Sequence, residues 1–284
     1  MISKRAVLSL SIPLCLAIAS CGAINEVSVG QDTPAVENSA PFSLAQAGFN
    51  YQDYAQVLKT YVNAQGLVNY SGLQANRAQL DRFVQSMGAV PQNVYQSWSE
   101  QQRLAFLINA YNAFTLQSII DQNPLKSSIR RIPGVWKRRK FLVAGEQKTL
   151  DNIEHATIRK EFSEPRIHAA LVCAAISCPP LLNEPYTGDK LEQQLEERSS
   201  KWIKGVHGLA IDRNSNTVSI SAIFKWFGED WLGQYGTNQF KGNAKEKASL
   251  NFASKYLSPQ DAQYLRAGNY RVKYLNYDWA LNKQ

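Results

Sequence analysis

Histidine, cysteine and methionine are scarce in this chain: three, four and two among 284 residues. The one close pair of cysteines in its body, Cys173 and Cys178, is a Cys-x4-Cys with a single histidine nearby, unlike the paired spacings that hold structural zinc. No metal site and no cofactor is expected. The net charge of +8 would allow acidic partners, yet there is no long basic block. The densest patch, Lys137 to Lys140, runs straight into the strand-like Phe141-Leu-Val143 and reads as a solvated sheet edge. Nucleic acid is therefore excluded as a partner. An internal repeat is lacking, and so is a second polar linker that would divide the chain. The apolar run from Ala6 to Ala19 is too short for an ordinary membrane span.

That run has another use. Lys4 and Arg5 precede it, which is the layout of a secretory signal, and it ends Ile18-Ala-Ser-Cys21-Gly, which resembles the bacterial lipobox. The resemblance implies removal of residues 1–20 and lipidation of Cys21, hence a protein held on the cell membrane or outer membrane and facing the periplasm or exterior. Residues 21–47, rich in polar residues and without apolar periodicity, read as a flexible tether. With Cys15 cleaved off and Cys21 lipidated, Cys173 and Cys178 are the remaining free thiols. An oxidising compartment favours a disulfide between them if the geometry allows. Positions five apart diverge on a helix, so a bond needs the chain to turn between them. Pro179-Pro180 makes a helix there unfavourable.

From residue 48 onward the pattern is that of a single α+β domain, mainly helical, with a small antiparallel sheet built from hairpins; a papain-like or transglutaminase-like variant of that class stays open. Tyr54, Val57, Leu58 and Tyr61 share a helical face, an extended piece covers residues 66–70, and Leu73 to Met87 is helical again. The longest apolar helix spans Glu100 to about Asp121, with Ser99 as N-cap. Its Asn109 and Asn112 are buried amides that must bond backbone, orient a catalytic group or bind substrate. Residues 140–150 and 209–220 read as hairpins. Asp151-Asn-Ile-Glu154 has capping-box spacing, which offers Glu154 a structural role and leaves His155 without one. Residues 189–204 form an amphipathic helix with Leu191, Leu195 and Trp202 inward. Ile223-Phe-Lys-Trp-Phe227 opens a short aromatic helix that reads as core. Helices at 244–257 and 259–267 and a terminal strand at 271–281 complete the chain.

The segment Arg166 to Leu182 puts a histidine, two thiols and a Pro-Pro stop into an otherwise small and apolar run. A cysteine nucleophile needs a base to take its proton and a third group to hold that base. His155 and His168 are the candidate bases, with His207 third. His168, five residues before Cys173, diverges from it on either a strand or a helix, whereas His155 is free of that constraint. The expectation is a Cys173–His155 pair at the floor of one cleft, with the first amides of the element bearing Cys173 as oxyanion donors. Adjacent residues on a helix do not face one another, so Glu154 could orient His155 only on an irregular backbone, and Asn109 or Asn112 could replace it.

Several stretches together resemble the bacterial branch of domain of unknown function 547. These are residues 104–113, Leu150 to His155 with Arg159, His168 to Cys173 with Ser177-Cys-Pro-Pro-Leu181, Ile223 to Phe227, and Tyr277 to Asn282. The resemblance implies a thiol-dependent hydrolase with a Cys, His and Glu arrangement, which falls on Cys173, His155 and Glu154. The catalytic candidates are thus Cys173, His155, Glu154 and Asn109, and the binding candidates Asn112, His168, Arg159 and Cys178. Three functions follow: a Cys–His hydrolase or acyltransferase on a small amide or peptide-like substrate; a non-enzymatic lipoprotein that binds a ligand or partner, with Cys173 and Cys178 in a disulfide; and, least in keeping with the spacing, a metal site.

Overall fold

The structure, a computed structural model, describes residues 48–284, so the signal, Cys21 and the tether lie outside the described residues. Four short helices come first: α1 (Gln52–Tyr61), α2 (Tyr70–Ala75), α3 (Ala78–Gly88) and α4 (Gln92–Ser97). The helical pattern from Leu73 to Met87 is broken at Asn76-Arg77 into α2 and α3, and α4 carries too few apolar residues to be read from periodicity. They pack against α5 (Glu100–Ile120), whose start is the expected Ser99: its hydroxyl accepts from the Gln102 amide, and the Gln102 side chain accepts from the Ser99 amide. Every residue of α5 from Leu104 to Ile120 is buried. It has no solvent stripe, as befits a helix surrounded by protein.

Strands β1 (Phe141–Val143) and β2 (Glu146–Lys148) form the first hairpin, with Val143 opposite Glu146. Its two turn residues, Ala144 and Gly145, both have positive φ, 48° and 79°, as a tight primed turn requires. After it the chain departs from expectation. Asp151 makes no side-chain cap bond, and Thr149 Oγ1 instead accepts the Asn152 amide. Residues Asn152–Ile158 are a π-helix, in which the Arg159 amide reaches the Glu154 carbonyl five residues back, before a last turn α6 (Arg159–Glu161). A 3-10 turn, Pro165–Ala169, leads into an irregular segment that carries both cysteines.

Helix α7 (Leu191–Lys204) buries Leu191, Leu195 and Trp202 as expected. Strands β3 (Leu209–Asp212) and β4 (Thr217–Ile220) are the second hairpin, followed by α8 (Ala222–Phe227), a 3-10 turn at Gly228–Trp231, α9 (Leu232–Tyr235), α10 (Ala244–Ser254) and α11 (Pro259–Ala267). The last strand, β5 (Arg271–Tyr274), joins β4 in parallel, so the three-stranded sheet is mixed. The class is the α+β, mainly helical one read from the sequence. The terminal strand ends at Tyr274 rather than Leu281. Beyond it the tail lies along the cysteine segment: the Ile176 amide donates to the Ala280 carbonyl, and the Asn282 amide to the Ala174 carbonyl.

Two apolar clusters result. One gathers α1 to α5 with the hairpin β1–β2 and the cysteine segment, the other gathers the mixed sheet with α8, α10 and α11. Helix α7 contributes Leu191 and Leu195 to the first and Trp202 and Ile203 to the second. Among the described residues no helix is long and apolar enough to cross a membrane.

Candidate active site

The cysteine segment is held from below by α5. Asn112 Nδ2 donates to the Ala170 carbonyl at 2.9 Å, and its Oδ1 accepts the Val172 amide at 2.9 Å. Both polar ends of the buried amide are thereby spent on the two backbone groups that lead into Cys173. Directly after, Ala174 takes a positive φ of 62°, a conformation that costs a side-chain-bearing residue strain and turns the chain sharply. The expected turn between the cysteines is therefore present. It brings Cys178 Sγ within 3.1 Å of the Cys173 amide, and the Tyr277 hydroxyl stands 3.1 Å from Cys178 Sγ and 3.3 Å from Cys173 Sγ. Both cysteines are free thiols. Because the Cys173 amide is taken up by Cys178, it is not the free oxyanion donor expected of it.

These contacts divide the pair. The neighbouring Cys178 and burial push the Cys173 thiol well up. Burial also works against a Cys178 thiolate, but donors from Cys173, Tyr277 and backbone outweigh it and bring that thiol below its ordinary value. Two adjacent sulfurs cannot both ionise, and Cys178 has the donors. Burial and the adjacent thiols hold Tyr277 far above the ordinary phenol value, so its hydroxyl stays a donor.

The π-helix lines the same cavity as the sulfurs. Its wider turn lets Glu154 and His155, although consecutive, line the same cavity together with Asp151. Glu154 is buried beside the Tyr111 phenol, which burial and that carboxylate push well up. His155 is partly exposed; its Nδ1 lies 3.2 Å from an Arg159 nitrogen, and its Nε2 is 3.9 Å from Asp151 Oδ1. His168 is buried, with Nε2 2.7 Å from Asp230 Oδ2 and its ring stacked on Phe227 at 4.6 Å. Arg159 Nε also binds Asp230 Oδ2, at 2.6 Å. Burial would raise the Asp230 pKa, but His168 and Arg159 override it and hold the carboxyl far below its usual range.

All of this surrounds one cavity of about 300 Å³. Its walls include Trp136, Trp226, Phe227, Tyr277 and Trp279. Of the residues singled out in the sequence, Cys173, Cys178, His155, His168 and Glu154 line it. Cys173 and His155 share it without a hydrogen bond between them. His168 and Cys173 also share it without a hydrogen bond between them, the chain leaving the 3-10 turn after Ala169 and running irregularly to Cys173. Arg159 acts from behind the wall through Asp230 and His155. Asn109 does not reach the cavity: its amide bonds the Tyr186 carbonyl at 2.7 Å and the Tyr186 amide at 3.0 Å. His207 faces a different cavity and pairs with Ser177. Among the described residues no group of three or more His, Cys, Asp or Glu could hold a metal ion.

Tyr277, Asp230 and Tyr111 were not singled out. Tyr277 sits in a recognisable stretch, but its contacts with the sulfurs span 99 and 104 residues of chain. The aromatic helix also differs from expectation in part. Trp231 is wholly buried, whereas Trp226 is 40% exposed and lines the cavity. A family model described as "Protein of unknown function, DUF547" matches residues 95–203. That stretch runs from within α4 to near the end of α7 and holds both thiols, His155, His168 and Glu154, while Phe227, Asp230 and Tyr277 lie beyond it. No curated protein and no solved structure matches the chain.

Proposed function

We propose that the chain is a thiol-dependent hydrolase or acyltransferase acting on a small amide or peptide-like substrate, held at the cell envelope by lipid on Cys21. One observation carries the reading: two thiols, two imidazoles, two carboxylates and two tyrosines, drawn from distant parts of the chain, line a single aromatic-walled cavity. Its volume of about 300 Å³ suits a small ligand. Cys173 is the nucleophile because it is the more accessible of the two thiols. Cys178 ionises the more readily of the two, but it is buried and its sulfur is held by the Cys173 amide and by Tyr277. The flat aromatic walls supply contact area for an acyl or amide group.

Alkylation of the full-length protein with iodoacetamide, without reductant, tests this. Cys173 is expected to be labelled, and Cys173→Ser to lower turnover of a panel of N-acyl amides and short peptides by more than about 10³-fold. A thiol pair that reacts only after reduction would be a Cys173–Cys178 disulfide. That outcome would favour the non-enzymatic ligand-binding protein, a reading supported by the approach of both sulfurs to one hydroxyl.

A further inference from the structure

The cavity offers two imidazoles, and their partners give them opposite roles. At His155 the partner of Nδ1 is the Arg159 guanidinium. A guanidinium donates and cannot accept, so Nδ1 presents its lone pair to Arg159 and the neutral ring carries its proton on Nε2. Nε2, 3.9 Å from Asp151 Oδ1, is then the donor of this ring. At His168 the partner of Nε2 is the Asp230 carboxylate, 2.7 Å away. A carboxylate accepts, so the proton lies on Nε2 and the bare lone pair is on Nδ1, for which no hydrogen-bond partner exists among the described residues. Phe227, stacked at 4.6 Å, and Trp231, tilted at 5.0 Å, fix the plane of this ring. Of the two, His168 alone has a basic nitrogen not already in use.

We infer that His168, held by Asp230, is the base that receives the Cys173 proton, and that His155 is a hydrogen-bond donor to the substrate. This rests on the thiol-dependent reading above. In the first step the Cys173 proton passes to His168 Nδ1, the sulfur bonds the carbonyl carbon, the C–N bond breaks, and the departing amine takes that proton. A water then gives a proton to Nδ1 as its oxygen bonds the same carbon. The C–S bond breaks and the sulfur recovers the proton, leaving a carboxylic acid. Asp230 touches neither sulfur nor substrate and is a positioning residue. Arg159 sets both rings at once, since it donates to Asp230 and to His155 Nδ1.

The charged and titratable groups around His168 come from several elements. Asp230 and Glu229 stand on the 3-10 turn after α8, and Arg159 bridges them to the π-helix. Asp151, Glu154 and His155 lie on the π-helix side of the cavity, with both thiols and Tyr277 also in its walls and Lys137 at its exposed edge.

The test is the rate of Cys173 alkylation by iodoacetamide in the reduced full-length protein, from about pH 5 to about pH 9, where imidazoles titrate. The wild-type rate is expected to rise through an ionisation step in this range, and His155→Gln to keep that step. His168→Gln and Asp230→Asn are expected to lose or displace it, with the rate at pH 7 about tenfold lower. His168 is buried, so a packing defect is separated by Asp230→Glu, which keeps the carboxylate and is expected to restore the step. Loss of the step in His155→Gln with retention in His168→Gln would overturn the assignment, as would one profile shared by all variants. A protein with the step intact but no turnover of any amide would sink the hydrolase reading and leave the base assignment standing.

Discussion

Asn109 and Asn112 show what a buried amide in an apolar helix is for here. Each side chain offers one acceptor and one donor to the carbonyl and amide of a passing backbone, as a neighbouring strand would. That both had to be satisfied was legible in the sequence; their partners, 77 and 58 residues away, were not. Asn112→Leu keeps the volume and orphans the Ala170 carbonyl and the Val172 amide. It is expected to destabilise by about 3 kcal/mol in urea unfolding, with the Cys173 loop loosened. Asp230 makes a second prediction at this scale. Its pKa is depressed in the fold, so its contribution to stability is fully present above the unfolded carboxyl value. That contribution is lost as the pH falls from there toward the folded value. Asp230→Asn should therefore be less stable than wild type at pH 7, and the gap in urea midpoint should narrow below about pH 4. A gap that widens on acidification would contradict the pairing.

Elements were legible where local chemistry sets them. The α5 start at Ser99 and both hairpins stand where turn and cap residues placed them, and Ser99→Ala is expected to cost about 1 kcal/mol, seen as a lower urea midpoint. The segment after β2 was not legible, because Asp151-Asn-Ile-Glu154 has capping-box spacing while the backbone closes i→i+5 bonds that no residue pattern announces. That difference matters for the site. It supplies the irregular backbone that lets Glu154 and His155 share a cavity. The aromatic stretch misled for a related reason: Trp226 and Trp231 are five apart, point to different sides, and serve cavity and core respectively.

At the scale of the molecule, the lack of a second linker reads as one domain from residue 48 onward, and the described residues fall in one compact unit. The division of its interior into two clusters was not readable, because apolar periodicity says which face is buried and not against what. Helix α7 enters both clusters, so a single thermal transition is expected; two resolved transitions in calorimetry would mean that the clusters melt independently. At the N-terminus, Cys21→Ser is expected to move the protein from the membrane to the soluble fraction, and unchanged fractionation would count against lipid anchoring. The cavity itself lies between side chains of both clusters, and one wall is the tail after β5. That tail is attached by separate backbone bonds, among them Ile176 to Ala280, Asn282 to Ala174 and Val68 to Asn282. Under a pulling force such bonds give way in turn, like a zip, rather than shearing together as a buried sheet would. Tension on the tail would draw Tyr277 off the two sulfurs and Leu281 out of the first cluster, so that loss of the site and loosening of that cluster would come together.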